Sequence, residues 1–257
     1  MTALHDKLRV IAWFGAGAAS AVAAKLTLRD RPDAVVAYCE TNAEHPDNER
    51  FIADCVRWLN APVTRLSSTE YLDTWHVWEE RRFIAGIQGA PCTAALKRRP
   101  REQFQRPGDV HVFGYTADAE DAARAARLVE RWPDMTCRFP LIEQGITKES
   151  CLAIIENSGI VLPVMYGLGF VNNNCIPCPK ATSPNYYAAI RQHFPEQFER
   201  MAKLCRELDV RLTRIKDERI FIDEIPAGWP TNDPIAPSCD FLCQIAEMGM
   251  TAERGAG

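Results

Sequence analysis

The sequence predicts an α/β fold, a doubly wound and mostly parallel sheet, with a helical and loop-rich C-terminal elaboration. Short apolar strand-like runs alternate with helix-length segments through the first half of the chain. The second half changes character, because its helical segments are separated by a polar, cysteine-bearing loop and followed by a proline-rich stretch. We expect an α/β core in residues 1–165 and an elaboration in residues 166–257 that folds over the sheet.

The predicted elements of the first half alternate in chain order. The predicted strands are residues 9–14, 34–39, 62–66 and 110–115, and the predicted helices are residues 18–28, 47–59 and 120–131. Ligands of such sheets bind beyond the carboxyl ends of the strands. The unusual residues of this half lie at those ends, in segments 15–20, 40–46 and 116–127.

The second half begins with a predicted helix over residues 147–158, for which Thr147 is the expected N-cap. A loop-rich stretch over residues 167–183 follows and contains three consecutive asparagines and a Cys-x-x-Cys pair. A helical region is predicted at residues 185–208, and residues 226–243 are rich in proline. No internal repeat or low-complexity segment interrupts this order.

Composition bounds the possible functions. The chain has 257 residues, of which 47% are hydrophobic and 25% charged, as in a soluble globular protein. Its net charge of −4 gives no bulk argument for nucleic-acid binding. No apolar stretch approaches the roughly 18–20 residues of a membrane span. Residues 1–7 contain no apolar signal core, so we expect a cytoplasmic protein without membrane partners.

The chain contains ten cysteines, which in a reducing compartment are not expected to form a disulfide framework. Five of them lie in apolar or helical patterns and are predicted to be buried small hydrophobic residues: Cys39, Cys55, Cys137, Cys151 and Cys205. The others are clustered or stand beside Pro, Thr and Asn: Cys92, Cys175, Cys178, Cys239 and Cys243. Thiolates in this arrangement favour an iron–sulfur cluster or zinc.

A glycine-rich turn follows the first predicted strand. The strand ends at Phe14, and Gly15, Ala16 and Gly17 precede a helix whose start includes Ala19 and Ser20. Backbone N–H groups and the helix dipole at such a turn attract anions, and the Ser20 hydroxyl is a further potential donor. The turn lacks the Gly-Lys-[Ser/Thr] end of a P-loop and the third glycine of a dinucleotide fingerprint. The alternative to anion binding is that the glycines are needed only for close packing of the turn.

The motifs in their order along the chain resemble the phosphoadenosine phosphosulfate (PAPS) reductase-like family of the PP-loop superfamily. The resemblance rests on the glycine turn and five later stretches within residues 9–180: Glu40–Pro46, Pro91–Pro100, Gly114–Asp118 with Arg124 and Arg127, Phe139–Leu141 and Cys175–Pro179. The chain departs from ATP-cleaving PP-loop proteins at Gly15 and Ala19, where those proteins carry serine and aspartate. It also lacks the Glu-Cys-Gly-[Ile/Leu]-His tail of sulfonucleotide reductases.

The resemblance implies an adenine nucleotide as substrate. The residues it assigns to nucleotide binding are Phe14, Gly15, Ala16, Gly17, Ala19, Ser20, Glu40, Thr41, Asp118, Arg124 and Arg127. One of the two arginines is expected to bind a phosphate, and the other to pair with an acidic residue on its own helix.

The resemblance also implies a [4Fe–4S] cluster bound by Cys92, Cys175 and Cys178. The fourth ligand is expected from the tail, from Cys239 or Cys243. We take Cys243 as the ligand, which leaves Cys239 as the nucleophile. A zinc ion on the same cysteines is the alternative. Lys97 is the second predicted catalytic residue, because the family places a lysine near the cluster, where an ammonium neutralises sulfate, phosphate or thiolate charge.

The function that these implications favour is sulfonucleotide reduction, in which a tail thiolate attacks the sulfur of adenylyl sulfate or PAPS. A thioredoxin-like dithiol would then release sulfite. One alternative is ATP-dependent sulfur insertion into a nucleic acid. Another is a non-catalytic module that only binds a nucleotide or a metal.

Overall fold

A computed structural model describes residues 8–86 and 89–232. At its centre is a five-stranded, all-parallel sheet flanked by helices, which confirms the α/β prediction. The strands are β1 (Val10–Phe14), β2 (Val35–Cys39), β3 (Val63–Leu66), β4 (Val110–Phe113) and β5 (Thr136–Arg138).

The strand order in the sheet is β3-β2-β1-β4-β5. The chain therefore builds outward from β1 in one direction through β3, and then in the other direction through β4 and β5. This reversal between β1 and β4 is the switch point at which doubly wound sheets bind ligands. Strand β5 was not predicted, because two of its three residues are exposed at the sheet edge and it contains no apolar run.

Helices precede, separate and follow these strands. They are α1 (Ala18–Asp30), α2 (Asn48–Leu59), α3 (Thr74–Arg81), α4 (Arg99–Phe104), α5 (Ala119–Arg131), α6 (Pro140–Glu143), α7 (Lys148–Asn157), α8 (Val164–Gly167), α9 (Pro184–His193) and α10 (Pro195–Glu207). A π-helical turn (Thr93–Arg98) leads into α4, a hairpin pairs β6 (Thr213–Ile215) with β7 (Glu218–Ile220), and a 3₁₀ turn spans Ile222–Glu224. No helix in the described part of the chain is long and apolar enough to cross a bilayer.

Two sequence predictions about these helices can be compared directly with the structure. The Thr147 hydroxyl accepts a hydrogen bond from the Ser150 N–H at 3.2 Å, which confirms Thr147 as the N-cap of α7. The helical region predicted at 185–208 is two helices rather than one. The break falls at Phe194, because a residue that precedes a proline is disfavoured in helical geometry.

The first apolar core lies between the sheet and its helices. Helix α1 packs against β1 and against α2, α6 and α7. Its alanines, such as Ala21 and Ala24, are fully buried. Their small side chains allow neighbouring helices and strands to approach on several sides, so α1 is buried along most of its surface. This packing fixes the start of α1, where the glycine turn lies.

A second apolar core joins residues 75–96 to residues 165–225. Trp78 and Tyr187 are its largest fully buried side chains. The C-terminal elaboration therefore packs on a segment inserted between β3 and β4, and not only on the sheet. Trp75 and Trp78 of α3 are buried in this core. Phe83 is 43% exposed, because α3 ends before it, at Arg81.

A buried histidine in β4 makes the stability of the fold depend on pH. His111 is 4% exposed, and its Nδ1 accepts a hydrogen bond from Trp13 Nε1 at 3.1 Å. Burial lowers the pKa of His111, and Arg101 and Arg9 lower it further, although Asp109 opposes them. The folded protein therefore disfavours the charged imidazole, whereas the unfolded chain takes up a proton near pH 6.5.

We expect the free energy of unfolding to fall as the pH is lowered through about 6.5, by up to about 1.4 kcal/mol per pH unit for this one group. Chemical denaturation of the wild type and of His111→Gln at pH 7.5 and 5.5 measures it. Glutamine retains an acceptor for Trp13 but does not titrate, so the variant should lose less stability between the two pH values. Equal losses in both proteins would contradict the assignment.

Candidate functional site

The glycine turn joins β1 to α1 at the switch point of the sheet. Ala16 adopts a left-handed backbone with φ 52°, and Gly17 is the N-cap residue of α1. The Ser20 hydroxyl accepts a hydrogen bond from the Gly15 N–H and donates one to the Gly17 carbonyl, both at 2.9 Å. The Ser20 hydroxyl proton, which the sequence offers as a donor to a ligand, is used inside the turn in this structure.

Two residues that the sequence did not single out cover this turn. The Ala18 N–H donates to the Tyr166 hydroxyl at 3.2 Å, and a Cβ on Gly17 would lie 3.1 Å from that hydroxyl. Glycine at position 17 thus permits the close approach of Tyr166. The Lys148 ammonium lies 5.2 Å from the centre of the Tyr166 ring, which places a cation beside the turn.

The end of β4 packs directly on the start of α1. A Cβ added to Gly114 would lie 2.6 Å from Ser20 Cα and 2.8 Å from Ser20 N. Backbone atoms cannot yield as the end of a flexible side chain can. Glycine at position 114 is therefore required for the present position of the turn.

We expect Gly114→Ala to lower the free energy of unfolding by about 1–3 kcal/mol through overpacking and to displace the glycine turn. Urea denaturation measures the first effect. Gly167→Ala is the matched control, because no heavy atom lies within 4 Å of a Cβ built on Gly167, and that residue is exposed. A Gly114→Ala protein as stable as the control would show that the two elements separate without cost.

A buried carboxylate organises the polar segment that follows β2. The Glu44 side chain is 6% exposed, and its Oε2 accepts hydrogen bonds from the Tyr38 hydroxyl at 2.6 Å and from Asn48 Nδ2 at 2.9 Å. Its Oε1 accepts a bond from the Thr41 hydroxyl at 3.2 Å and lies 3.7 Å from the Lys97 ammonium. Both carboxylate oxygens are thus paired, as a buried charge requires.

Cys175 joins this group through Thr41. Its thiol donates to the Thr41 hydroxyl at 3.2 Å. Burial raises the pKa of Cys175 to about 12, although Lys97 acts in the opposite direction. Desolvation lowers the pKa of Lys97, but Cys175 and Glu44 outweigh it, so that the net pKa of Lys97 is raised. Lys97 therefore carries a positive charge beside the buried Glu44 carboxylate.

Lys97 belongs to the π-helical turn, which begins directly after Cys92. Such wide turns are uncommon and occur frequently at functional sites. The Lys97 carbonyl lies 3.6 Å from the Cys39 sulfur, within range of a weak S–H hydrogen bond. Cys39 is partly exposed here rather than buried as predicted, and so is Cys137 on β5. Cys39 therefore borders the site, whereas Cys55, Cys151 and Cys205 are buried as predicted.

The loop that carries the Cys-x-x-Cys pair is fixed to the end of β2 and to α9. The Ile176 N–H donates to the Ala43 carbonyl at 2.7 Å. The Cys178 N–H donates to the Tyr186 hydroxyl at 2.6 Å. The Ile176–Pro177 peptide bond is cis. These contacts hold Cys175 and Cys178 next to the polar segment that follows β2.

Cys92 is an electrostatic neighbour of Cys178. Burial raises the pKa of the Cys92 thiol, and the neighbouring Cys178 raises it further. The buried Trp78 indole N–H lies near enough to the Cys92 sulfur to favour its thiolate. It nevertheless has no hydrogen-bond partner of ordinary geometry among the described residues. An N–H donor without an acceptor beside this sulfur fits a residue that carries negative charge when a metal is bound.

The three cysteines are neighbours, but they do not converge on one point. Among the residues that the structure describes, no group of three or more His, Cys, Asp and Glu side chains is close enough to hold a metal ion. A four-iron cluster does not need that convergence, because its thiolates bind different iron atoms. The predicted ligands Cys92, Cys175 and Cys178 are thus compatible with it. The remaining tail residues, Cys239 and Cys243, lie outside the described residues.

The side chains of two predicted nucleotide-binding residues are buried inside the protein. The Phe14 ring is buried between Tyr38 and Phe51, and Ala19 is buried at the start of α1. Only their backbones are therefore offered to a ligand.

Most of the predicted polar residues are likewise paired with other groups of the protein. Glu40 accepts hydrogen bonds from Arg65 and Ser67, and Asp118 accepts one from the Lys148 N–H at 2.9 Å. Arg124 pairs with Glu120 and Asp121 on its own helix. Arg127 is exposed and has no ion pair among the described residues, so of the two arginines it is the one left for a phosphate.

Comparison with known proteins adds no assignment. No family model matches the chain, and no curated protein is significantly similar to it.

Proposed function

We propose that this chain is an adenine-nucleotide-binding, iron–sulfur sulfonucleotide reductase of the PAPS reductase-like type. One observation supports the proposal most strongly. The Lys97 ammonium lies 3.7 Å from the buried Glu44 carboxylate and interacts electrostatically with Cys175, at the same end of the sheet as the glycine turn. A candidate phosphate site, a cation and thiols at one end of the sheet are what transfer of sulfur from an adenylate requires.

In this proposal, the glycine turn at Gly15–Gly17 binds the nucleotide phosphate through backbone N–H groups, with Lys148 as a cation beside the turn and the exposed Arg127 of α5 as a further candidate. Lys97 neutralises the sulfate, whose charge shifts to the bridging oxygen when the sulfur is attacked. Glu44 holds Lys97 in place and keeps it charged. The PP-loop assignment of the fold is part of the same proposal.

Cys92, Cys175 and Cys178 would hold a [4Fe–4S] cluster, with Cys243 as the fourth ligand. When bound, the cluster supplies a polarisable centre of fixed charge beside the sulfate. Zinc on the same thiolates would be structural and would make the site a binding module.

The proposed reaction begins with attack of the Cys239 thiolate on the sulfur of adenylyl sulfate. An S–S bond forms, the S–O bond to the phosphate breaks, and AMP leaves with the electron pair. The S-sulfocysteine is then reduced by a dithiol of the thioredoxin type. Sulfite leaves, the Cys239 thiol is restored, and the dithiol becomes a disulfide.

The test is anaerobic purification with a UV–visible spectrum and iron, sulfide and zinc analysis, followed by turnover assays on adenylyl sulfate, PAPS and ATP. Sulfite and AMP, or the 3′-phosphorylated AMP expected from PAPS, would support the reductase. Loss of turnover on replacing Cys239 or Cys243 by serine would support the tail nucleophile, whereas full activity in the double variant would overturn it. Pyrophosphate release from ATP alone would replace the reductase by the ATP-dependent sulfur-inserting enzyme.

A further inference from the structure

A buried chain of hydrogen bonds joins the glycine turn to the cysteine site. We name its three linking residues, Asn173, Asn48 and Glu44, the polar bridge. Asn173 Nδ2 donates to the Ala16 carbonyl at 2.5 Å and to Asn48 Oδ1 at 2.7 Å. Asn48 Nδ2 then donates to Glu44 Oε2 at 2.9 Å. Glu44 in turn contacts Lys97, at 3.7 Å.

The hydrogen bonds of the polar bridge have no alternative arrangement. Asn48 and Asn173 are 4% and 5% exposed, so neither can exchange its partners for solvent. The donor direction is fixed as well, because the Ala16 carbonyl and the Glu44 carboxylate only accept. Each asparagine amide must therefore point its nitrogen as described, and a shift at one end of the bridge changes the hydrogen bonds along it.

At the turn, the bridge acts on a residue with an uncommon backbone. Ala16 has a positive φ, which costs energy for a residue with a Cβ. The bond from Asn173 to the Ala16 carbonyl holds this conformation. Asn173 Oδ1 is buried and has no hydrogen-bond partner among the described residues. Because an unpaired buried acceptor lowers stability, the amide is poorly explained by fold stability alone.

We propose that Asn48 and Asn173 are positioning residues that couple nucleotide binding at the glycine turn to the arrangement of Glu44 and Lys97. The coupling rests on the proposed function, since it takes the turn to be a nucleotide site. A nucleotide that favours the present conformation of Ala16 stabilises the Asn173 and Asn48 bonds, and with them the contact of Glu44 with Lys97. By linkage, removal of the Lys97 charge must weaken nucleotide binding by the same route.

The experiment is a thermodynamic cycle with AMP as the probe, measured by isothermal titration calorimetry without turnover. The four proteins are the wild type, Lys97→Met, Asn48→Ala and the double variant. We expect each single variant to bind AMP about tenfold more weakly. The double variant should bind AMP no more than about twofold more weakly than Asn48→Ala. Asn174→Ala is the matched control, because this exposed neighbour of Asn173 lies outside the bridge.

Two results would overturn the coupling, and they separate it from the proposed function. The first is that AMP binds, but with the affinity losses of the two single variants multiplied in the double variant. In that case Lys97 acts on the nucleotide independently of Asn48, and the polar bridge does not couple the two sites. If the wild type does not bind AMP, the nucleotide site of the proposed function fails and the bridge fails with it. Should Asn48→Ala not fold, Asn48→Asp takes its place, since it keeps the size and the acceptor but cannot donate to Glu44.

Discussion

Replacing Cys175 or Cys178 by serine is expected to remove the iron and sulfide from the anaerobically purified protein, from about four of each per chain to less than about one. Both cysteines lie on a loop fixed by the Ile176 and Cys178 backbone N–H groups. Serine keeps the size of the side chain and leaves a hydroxyl to bond Thr41, so the loop should persist. What is lost is the soft thiolate, for which a hydroxyl is a poor substitute.

The measurement is metal and sulfide analysis together with the absorbance near 400 nm. Cys137→Ser is the matched control, because this partly exposed cysteine lies on β5, at the sheet edge opposite β3. Its iron and sulfide content should equal that of the wild type. A wild-type protein that contains one zinc and no iron would overturn the cluster, and undiminished iron in both serine variants would remove these cysteines from the ligand set.

The second large effect is expected at Lys97. Replacing it by methionine should lower kcat for adenylyl sulfate about 10²–10³-fold, because in the proposed mechanism this cation stabilises the oxygen on which charge develops. KM should change much less, since most of that interaction exists only in the transition state. Lys97→Arg keeps the charge but spreads it over a planar group, so we expect partial activity.

Steady-state assays of sulfite release measure both constants. Lys203→Met removes an exposed lysine on α10, in the C-terminal elaboration, and is the matched control. It should retain the wild-type kcat. A Lys97→Met enzyme with unchanged kcat would show that the lysine stabilises only the fold around Glu44. A higher KM at constant kcat would make it a substrate-binding residue and not a catalytic one.

The fold was largely predictable because the central strands of a parallel sheet are apolar runs that local sequence reveals. Strands β1, β2 and β4 begin within about a residue of their predicted starts. The short helix α3 and the strand β5 were not predicted. The mixed polar sequence of α3 shows little helical periodicity, and β5 is three residues long at the sheet edge.

The site was predictable only in part, because its contacts are distant in sequence. Asn173 reaches the Ala16 carbonyl across 157 residues, and Tyr166 reaches the Ala18 N–H across 148. Three consecutive asparagines in a cysteine-bearing loop were the available signal for Asn173, and nothing marked Tyr166. The internal use of the Ser20 hydroxyl was likewise hidden, since the sequence does not give the direction of a hydroxyl proton.

The two apolar cores have a consequence for synthesis of the chain. The sheet core can form as soon as its strands and α7 have been synthesised. Trp75 and Trp78 cannot be buried until their later partners, such as Tyr187 and Ile190, have also been synthesised. At about 5–20 residues per second, the ribosome needs roughly 5–20 seconds to make the intervening hundred or so residues. During that interval both tryptophans lack their core, and the nascent protein is exposed to aggregation. Under the proposed function, insertion of the cluster would have to wait for the same event, because its ligands Cys175 and Cys178 follow both tryptophans by about a hundred residues.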